Sequence, residues 1–197
     1  MTTSGELVYS NNLCSAFLTA IVKAFEKHHA GSYLGRTAIQ KLTYFVKILG
    51  APIPCSFGIY TYGPYSDKVT FAVESLLADD VIKDSSPNPK YSNYRLGSNS
   101  SELLSSFDSE LRPHEKKIHQ AVKALGAFSP NDLELIATLH FIARRQLQTA
   151  GKTSKKSAMR EFKVIKKDKF SDEDISSWHD ALAQAGLIVN QKAANGL

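Results

Sequence analysis

Apolar residues recur along this chain with two different periods, and the changes between them mark out its elements. Leu13, Phe17, Ile21 and Phe25 are spaced by four, which predicts a helix over 13–29 closed by Gly31 and Ser32. From about Gly35, the residues Ala38, Ile39, Leu42, Phe45, Val46 and Leu49 share one helical face and belong to a core. Arg36, Gln40, Tyr44 and Lys47 fall on the opposite face, and Gly50 and Pro52 end the helix. Residues 57–62 (FGIYTY) are aromatic and β-branched, a strand that breaks at the turn signal Gly63-Pro64. Ser66 is placed to cap a third helix running to about Ala78, with Asp67 in its first turn. Val69, Ala72, Val73, Leu76 and Leu77 form its inner face. Residues 81–83 and 91–96 are short strands around a polar loop, so a β-hairpin follows the third helix.

The second half repeats the helical period. The serine-rich stretch 97–111 reads as a connector, with Leu103, Leu104 and Phe107 giving it some packing surface. Helices follow over 113–125, from Pro130 behind a Ser129 cap, through the lysine-rich segment, and from Ser171 with Asp174 in the capping-box position. The expected fold class is mainly α with a small β-hairpin (α+β). The order helix, helix, strand, helix, hairpin is that of a winged-helix core. The expected organisation is a loose tail at 1–12, a winged-helix-like domain at 13–96, a connector at 97–111 and a C-terminal helical subdomain at 112–197.

Composition narrows the function. The 197 residues have the apolar and charged fractions of a globular protein. No apolar stretch approaches the roughly 18 residues needed to span a bilayer, and the N-terminus lacks a secretory pattern, so a cytoplasmic location and no membrane partner are expected. Cys14 and Cys55 are too few and too far apart for a disulfide scaffold or zinc knuckle, and read as buried free thiols. The net charge of +5 is uneven. Residues 152–169 hold eight Lys/Arg against Glu161 and Asp168, leaving the rest of the chain slightly acidic. Such a segment suits nucleic acid or an acidic protein, or is a solvated helix face.

Signals for an enzyme are weak. Gly151-Lys152-Thr153 lacks the glycine a phosphate loop needs at 146, where Gln146 stands, and it follows a helix rather than a strand. The six histidines form no zinc-binding spacing, and no nucleophile elbow occurs. No catalytic residue, metal or cofactor is expected. Major-groove reading by the third helix is also disfavoured. Residues 66–80 carry Asp67, Glu74, Asp79 and Asp80 against Lys68, a charge that phosphates repel.

The residues GRTAIQKLTYFVK, the turn FGIYTYGPYS and the helix end LLADDVI resemble the YwgA-like proteins and, more distantly, the Panacea domain of SocA- and GepA-like antitoxins and phage-associated proteins. Ile39-Gln40-Lys41-Leu42-Thr43-Tyr44 is similar to that domain's helix motif, and Tyr62-Gly63-Pro64 to its turn. Residues 129–142 and 163–188 resemble the C-terminal helices of the YwgA-like proteins. The resemblance implies a non-enzymatic protein-interaction module, an antitoxin-like or phage-defence-associated regulator whose partner is a toxin or defence-system component. Candidate partner-binding residues are Arg36, Gln40, Tyr44, Lys47, Tyr62 and Tyr65. The alternative is a winged-helix DNA-binding regulator using the wing (Lys83, Lys90, Arg95) and the basic segment (Lys155, Lys156, Arg160, Lys163, Lys166, Lys167). Homo-oligomerisation stays open.

Overall fold

A computed structural model describes residues 7–188. Its elements, in order, are α1 (Leu13–His28), α2 (Arg36–Ile48), β1 (Gly58–Tyr60), β2 (Gly63–Tyr65), α3 (Asp67–Ala78), β3 (Ile82–Asp84), β4 (Tyr94–Leu96), α4 (Ser100–Ser106), α5 (Asp108–Leu111), a 3-10 turn (Arg112–His114), α6 (Glu115–Leu125), α7 (Pro130–Ala150), α8 (Lys155–Lys166) and α9 (Asp172–Gln184). The fold is mainly α, with two small two-stranded sheets, β1–β2 and β3–β4. Residue contacts divide it into two compact units. The first takes the chain up to Gly58 and again from Tyr65 to Pro130; the second takes Ile59–Pro64 and the chain from Asn131 onward.

In the first unit α1 is the hub. Phe17, Leu18, Ile21 and Phe25 have no exposed surface, and the helix packs against α2, α3 and α6. Asn12 caps it by accepting from the Ser15 N–H at 3.0 Å. The serine-rich stretch is helical rather than an open connector: α4 and α5 lie on α1, with Leu103 and Leu111 buried. The boundary between units therefore falls after α6, whose face of Ile118, Ala121 and Val122 is buried in the first unit. Hairpin β3–β4 is antiparallel, pairing Ile82 with Leu96, Lys83 with Arg95 and Asp84 with Tyr94. The Asp84 carboxylate accepts from the N–H groups of Ser86 and Asn93, at 3.0 and 2.8 Å, and so shapes the loop between the strands.

Ser66 occupies the N-cap of α3, but its hydroxyl makes no capping bond. The Gln40 side chain holds that position instead. Its Nε2 donates to the Ser66 carbonyl at 3.0 Å and its Oε1 accepts from the Ser66 N–H at 3.1 Å.

In the second unit α7 carries the core residues Leu133, Ile136, Ala137, Leu139 and Ile142. Ser171 caps α9 by accepting from the Asp174 N–H, as its spacing predicts. The chain reverses between β1 and β2 at Thr61 and Tyr62, so Gly63-Pro64 lies within β2 rather than at the turn. Gly63 has φ +86, and a Cβ there would fall 2.4 Å from Thr138 Oγ1. Only glycine allows this approach to α7.

Candidate partner-binding surface

The outward face of α3 is the feature that invites a partner. Val69, Ala72, Val73 and Leu76 turn inward and are buried. The opposite side exposes Asp67, Phe71, Glu74 and Ala78, which the helical repeat aligns in one stripe. Phe71 stands at its centre with 63 % of its surface exposed, and Leu77 flanks it at 37 %. Leu77 was expected on the inner face; the helix turns it toward solvent, and Leu76 fills the core. An exposed aromatic side chain flanked by Asp67, Glu74 and Lys68 is a good anchor for protein contact.

One of the four acids has a different task. Asp79 is buried at the C-terminal end of α3, where its Oδ2 accepts from Ser10 Oγ, Ser10 N–H and Tyr9 N–H at 2.7, 2.8 and 2.9 Å. Burial raises the pKa of this carboxyl, but the bonds from Ser10 and Tyr9 outweigh it and hold it below the usual range. The exposed charge of this helix and its end is therefore Asp67, Glu74 and Asp80 against Lys68.

The residues selected on α2 separate. Arg36 is exposed, and its Nε donates to Ser92 Oγ at 2.9 Å. Gln40 and Tyr44 are buried, which removes both from any contact surface. Gln40 is engaged with Ser66, and the Tyr44 ring meets Phe45 and Phe57 edge-on at 5.2 and 5.3 Å. Three-sided packing around α2 leaves it no solvated face at these positions. Lys47 is half-buried and donates to the Ile53 carbonyl at 2.6 Å. Tyr65 is half-buried and its hydroxyl bonds Thr70 Oγ1 at 2.7 Å, whereas Tyr62 is exposed.

Among the candidates for nucleic acid, Lys83 and Lys90 are exposed on the β3–β4 hairpin. Arg95 reaches back to the Ser32 carbonyl at 2.6 Å. Four of the eight cations of the lysine-rich segment pair with carboxylates of their own unit. Lys155 pairs with Asp180 at 2.6 Å and Lys163 pairs with Asp172. Lys166 is not on the surface. Its side chain is 3 % exposed, as is that of Glu134, and its Nζ lies 2.9 Å from Glu134 Oε1 and 2.5 Å from the Thr61 carbonyl. Lys169 completes the cluster at 2.8 Å from Glu134 Oε2, over the Tyr62 ring. Lys156, Arg160 and Lys167 remain exposed, beside an exposed Val164.

Among the described residues, no group of three or more His, Cys, Asp or Glu side chains gathers where it could hold a metal ion. No helix among them is long and apolar enough to cross a membrane. Compared with the models of known protein families and with curated proteins, the sequence matches none.

Proposed function

We propose that this protein is a non-enzymatic interaction module, an antitoxin-like or phage-defence-associated regulator in the cytoplasm, whose winged-helix-like part presents α3 to a protein partner. The observation that carries this reading is Phe71, exposed at the centre of a stripe bounded by Asp67 and Glu74. A central aromatic anchor with a charged rim is the pattern of an interface hot spot. Its charge fits a partner that offers an apolar pocket surrounded by lysine and arginine. The likeness of residues 39–44 and 62–64 to the Panacea motifs supports the same reading.

The test is isolation of the tagged chain from its host beside Phe71→Ala and Asp67→Asn/Glu74→Gln. A stoichiometric protein that is lost with Phe71→Ala, and whose binding weakens with salt in the parent but less so in the charge-neutral variant, supports the proposal. A partner retained equally by all three chains overturns it.

A second reading, nucleic-acid binding by the hairpin side of the first unit, is favoured by one cluster. Arg36, Lys83 and Lys90 are exposed there, with the exposed rings of Tyr33 and Tyr91. Bases stack on such rings while cations track phosphates. Lys83→Glu/Lys90→Glu would abolish salt-sensitive DNA or RNA binding of this kind, and unchanged binding would sink it. The basic segment is tested by reversing Lys156, Arg160 and Lys167, since reversing Lys166 would break the second unit.

A further inference from the structure

The chain has two cysteines, 41 residues apart, and the fold of the first unit sets them side by side. Cys14 lies in the first turn of α1, and Cys55 lies between α2 and β1. Their sulfurs are 2.7 Å apart, roughly 0.7 Å beyond a disulfide bond. Both residues are buried, Cys14 at 7 % and Cys55 at 1 % exposure.

The placement is built, not incidental. Residues 51–55 read Ala-Pro-Ile-Pro-Cys. The Ile53 N–H donates to the Ala51 carbonyl and the Cys55 N–H to the Ile53 carbonyl, each at 2.8 Å. These are two consecutive γ-turns centred on Pro52 and Pro54, whose rings fix φ. Lys47 Nζ and the Val46 carbonyl hold the same segment, at 2.6 Å to Ile53 and 3.2 Å from Ala51 N. A short stiff arm therefore delivers Cys55 to α1, and little reorganisation separates the dithiol from the bonded pair.

We propose that Cys14 and Cys55 are a modification site, a dithiol that a hydroperoxide converts to an intramolecular disulfide and a thiol reductant restores. One cysteine of the pair, as its thiolate, attacks the O–O bond of hydrogen peroxide, taking one oxygen to become a sulfenic acid and releasing the other as hydroxide, which takes up a proton to give water. The other cysteine then attacks that sulfur, the S–O bond breaks, and a second water leaves with the proton of the attacking thiol. Two thiols are oxidised by two electrons and one peroxide is reduced to two waters.

Lys47 and Lys68 favour a thiolate on either sulfur against the effect of burial, and the proton between the two sulfurs can sit on either one. Opening at the first turn of α1, where helices fray, would admit a small oxidant to Cys14.

The experiment exposes the reduced full-length chain to hydrogen peroxide, denatures it, alkylates it and measures intact mass. The expected result is a chain lighter by two hydrogens, with no alkyl group added and a peptide linking Cys14 to Cys55. Its Tm should exceed that of the reduced form by about 5 °C or more, since a 41-residue connection is closed. Cys14→Ser and Cys55→Ser should each lose the disulfide, and the remaining thiol should accumulate a sulfenic acid that a dione reagent traps. Two alkylated thiols after peroxide, or a disulfide joining two chains, would overturn the proposal.

Discussion

The Glu134–Lys166 pair makes an asymmetric prediction about the second unit. Both side chains are 3 % exposed, so neither charge can be hydrated if its partner is removed. In Glu134→Leu, Lys166 keeps only the Thr61 carbonyl, a neutral acceptor. Stranding a buried cation in this way costs about 3–5 kcal/mol. In Lys166→Met, Glu134 keeps Lys169 at 2.8 Å, so the loss is smaller, about 2 kcal/mol. The double variant leaves Lys169, whose side chain is 41 % exposed and can turn to water. Its stability should lie within about 1 kcal/mol of the parent, because apolar replacement of a buried pair is often neutral. The coupling between the two positions is therefore about 5 kcal/mol, far above the few tenths seen for independent sites. Urea unfolding followed by the fluorescence of Trp178, the single tryptophan and a residue of α9, reads this unit directly. Additive losses, or a larger loss in Lys166→Met than in Glu134→Leu, would refute the reasoning.

Three further outcomes are expected. Gly63→Ala should lower stability by about 3 kcal/mol, from the left-handed backbone and the clash with Thr138 Oγ1; adding Thr138→Ala should recover the clash component and leave about 1 kcal/mol, as judged from urea midpoints. Asp79→Asn should cost about 2 kcal/mol and render residues 7–11 sensitive to limited proteolysis, and unaltered cleavage there would contradict the role assigned to the carboxylate. Burial, with a smaller contribution from Arg144, lowers the pKa of His140 from 6.5 to about 4. The unfolded chain then takes up its proton first, so this contribution to stability is complete above pH 6.5 and is lost as pH falls to about 4; His140→Gln should flatten the stability profile across that window.

The elements were legible in the sequence because periodicity reports which positions are buried on a helix. Phe17, Ile21 and Phe25 show it plainly, as does the Ser171 cap. Periodicity failed where a polar residue occupies an inward position. Gln40 and Tyr44 fall on the face opposite the apolar stripe of α2, yet Ser66 and Phe57 cover them there. Lys166 carried a usable signal. It continues the spacing of Ala158 and Phe162, so a lysine on an apolar stripe called for a buried acid, which Glu134 supplies. The serine-rich stretch misled by composition, since Leu103 and Leu111 suffice to bind α4 and α5 to α1. The meeting of Cys14 with Cys55 had no local signature, because it depends on how α1 and the proline arm pack. The acidity of α3 was visible, but exposure of Phe71 was not, since one face of a helix cannot be ranked as solvated until its neighbours are placed.

The most direct test of the central claim is the dependence of a stoichiometric partner on Phe71. The parent chain, Phe71→Ala and the Lys156→Glu/Arg160→Glu/Lys167→Glu variant would be isolated from the native host in parallel, with nucleic acid monitored by absorbance. The account predicts a protein with a basic surface that accompanies the parent and the charge-reversed variant and is lost from Phe71→Ala at unchanged Tm. A partner that survives in Phe71→Ala, or nucleic acid that disappears only with charge reversal, would contradict it.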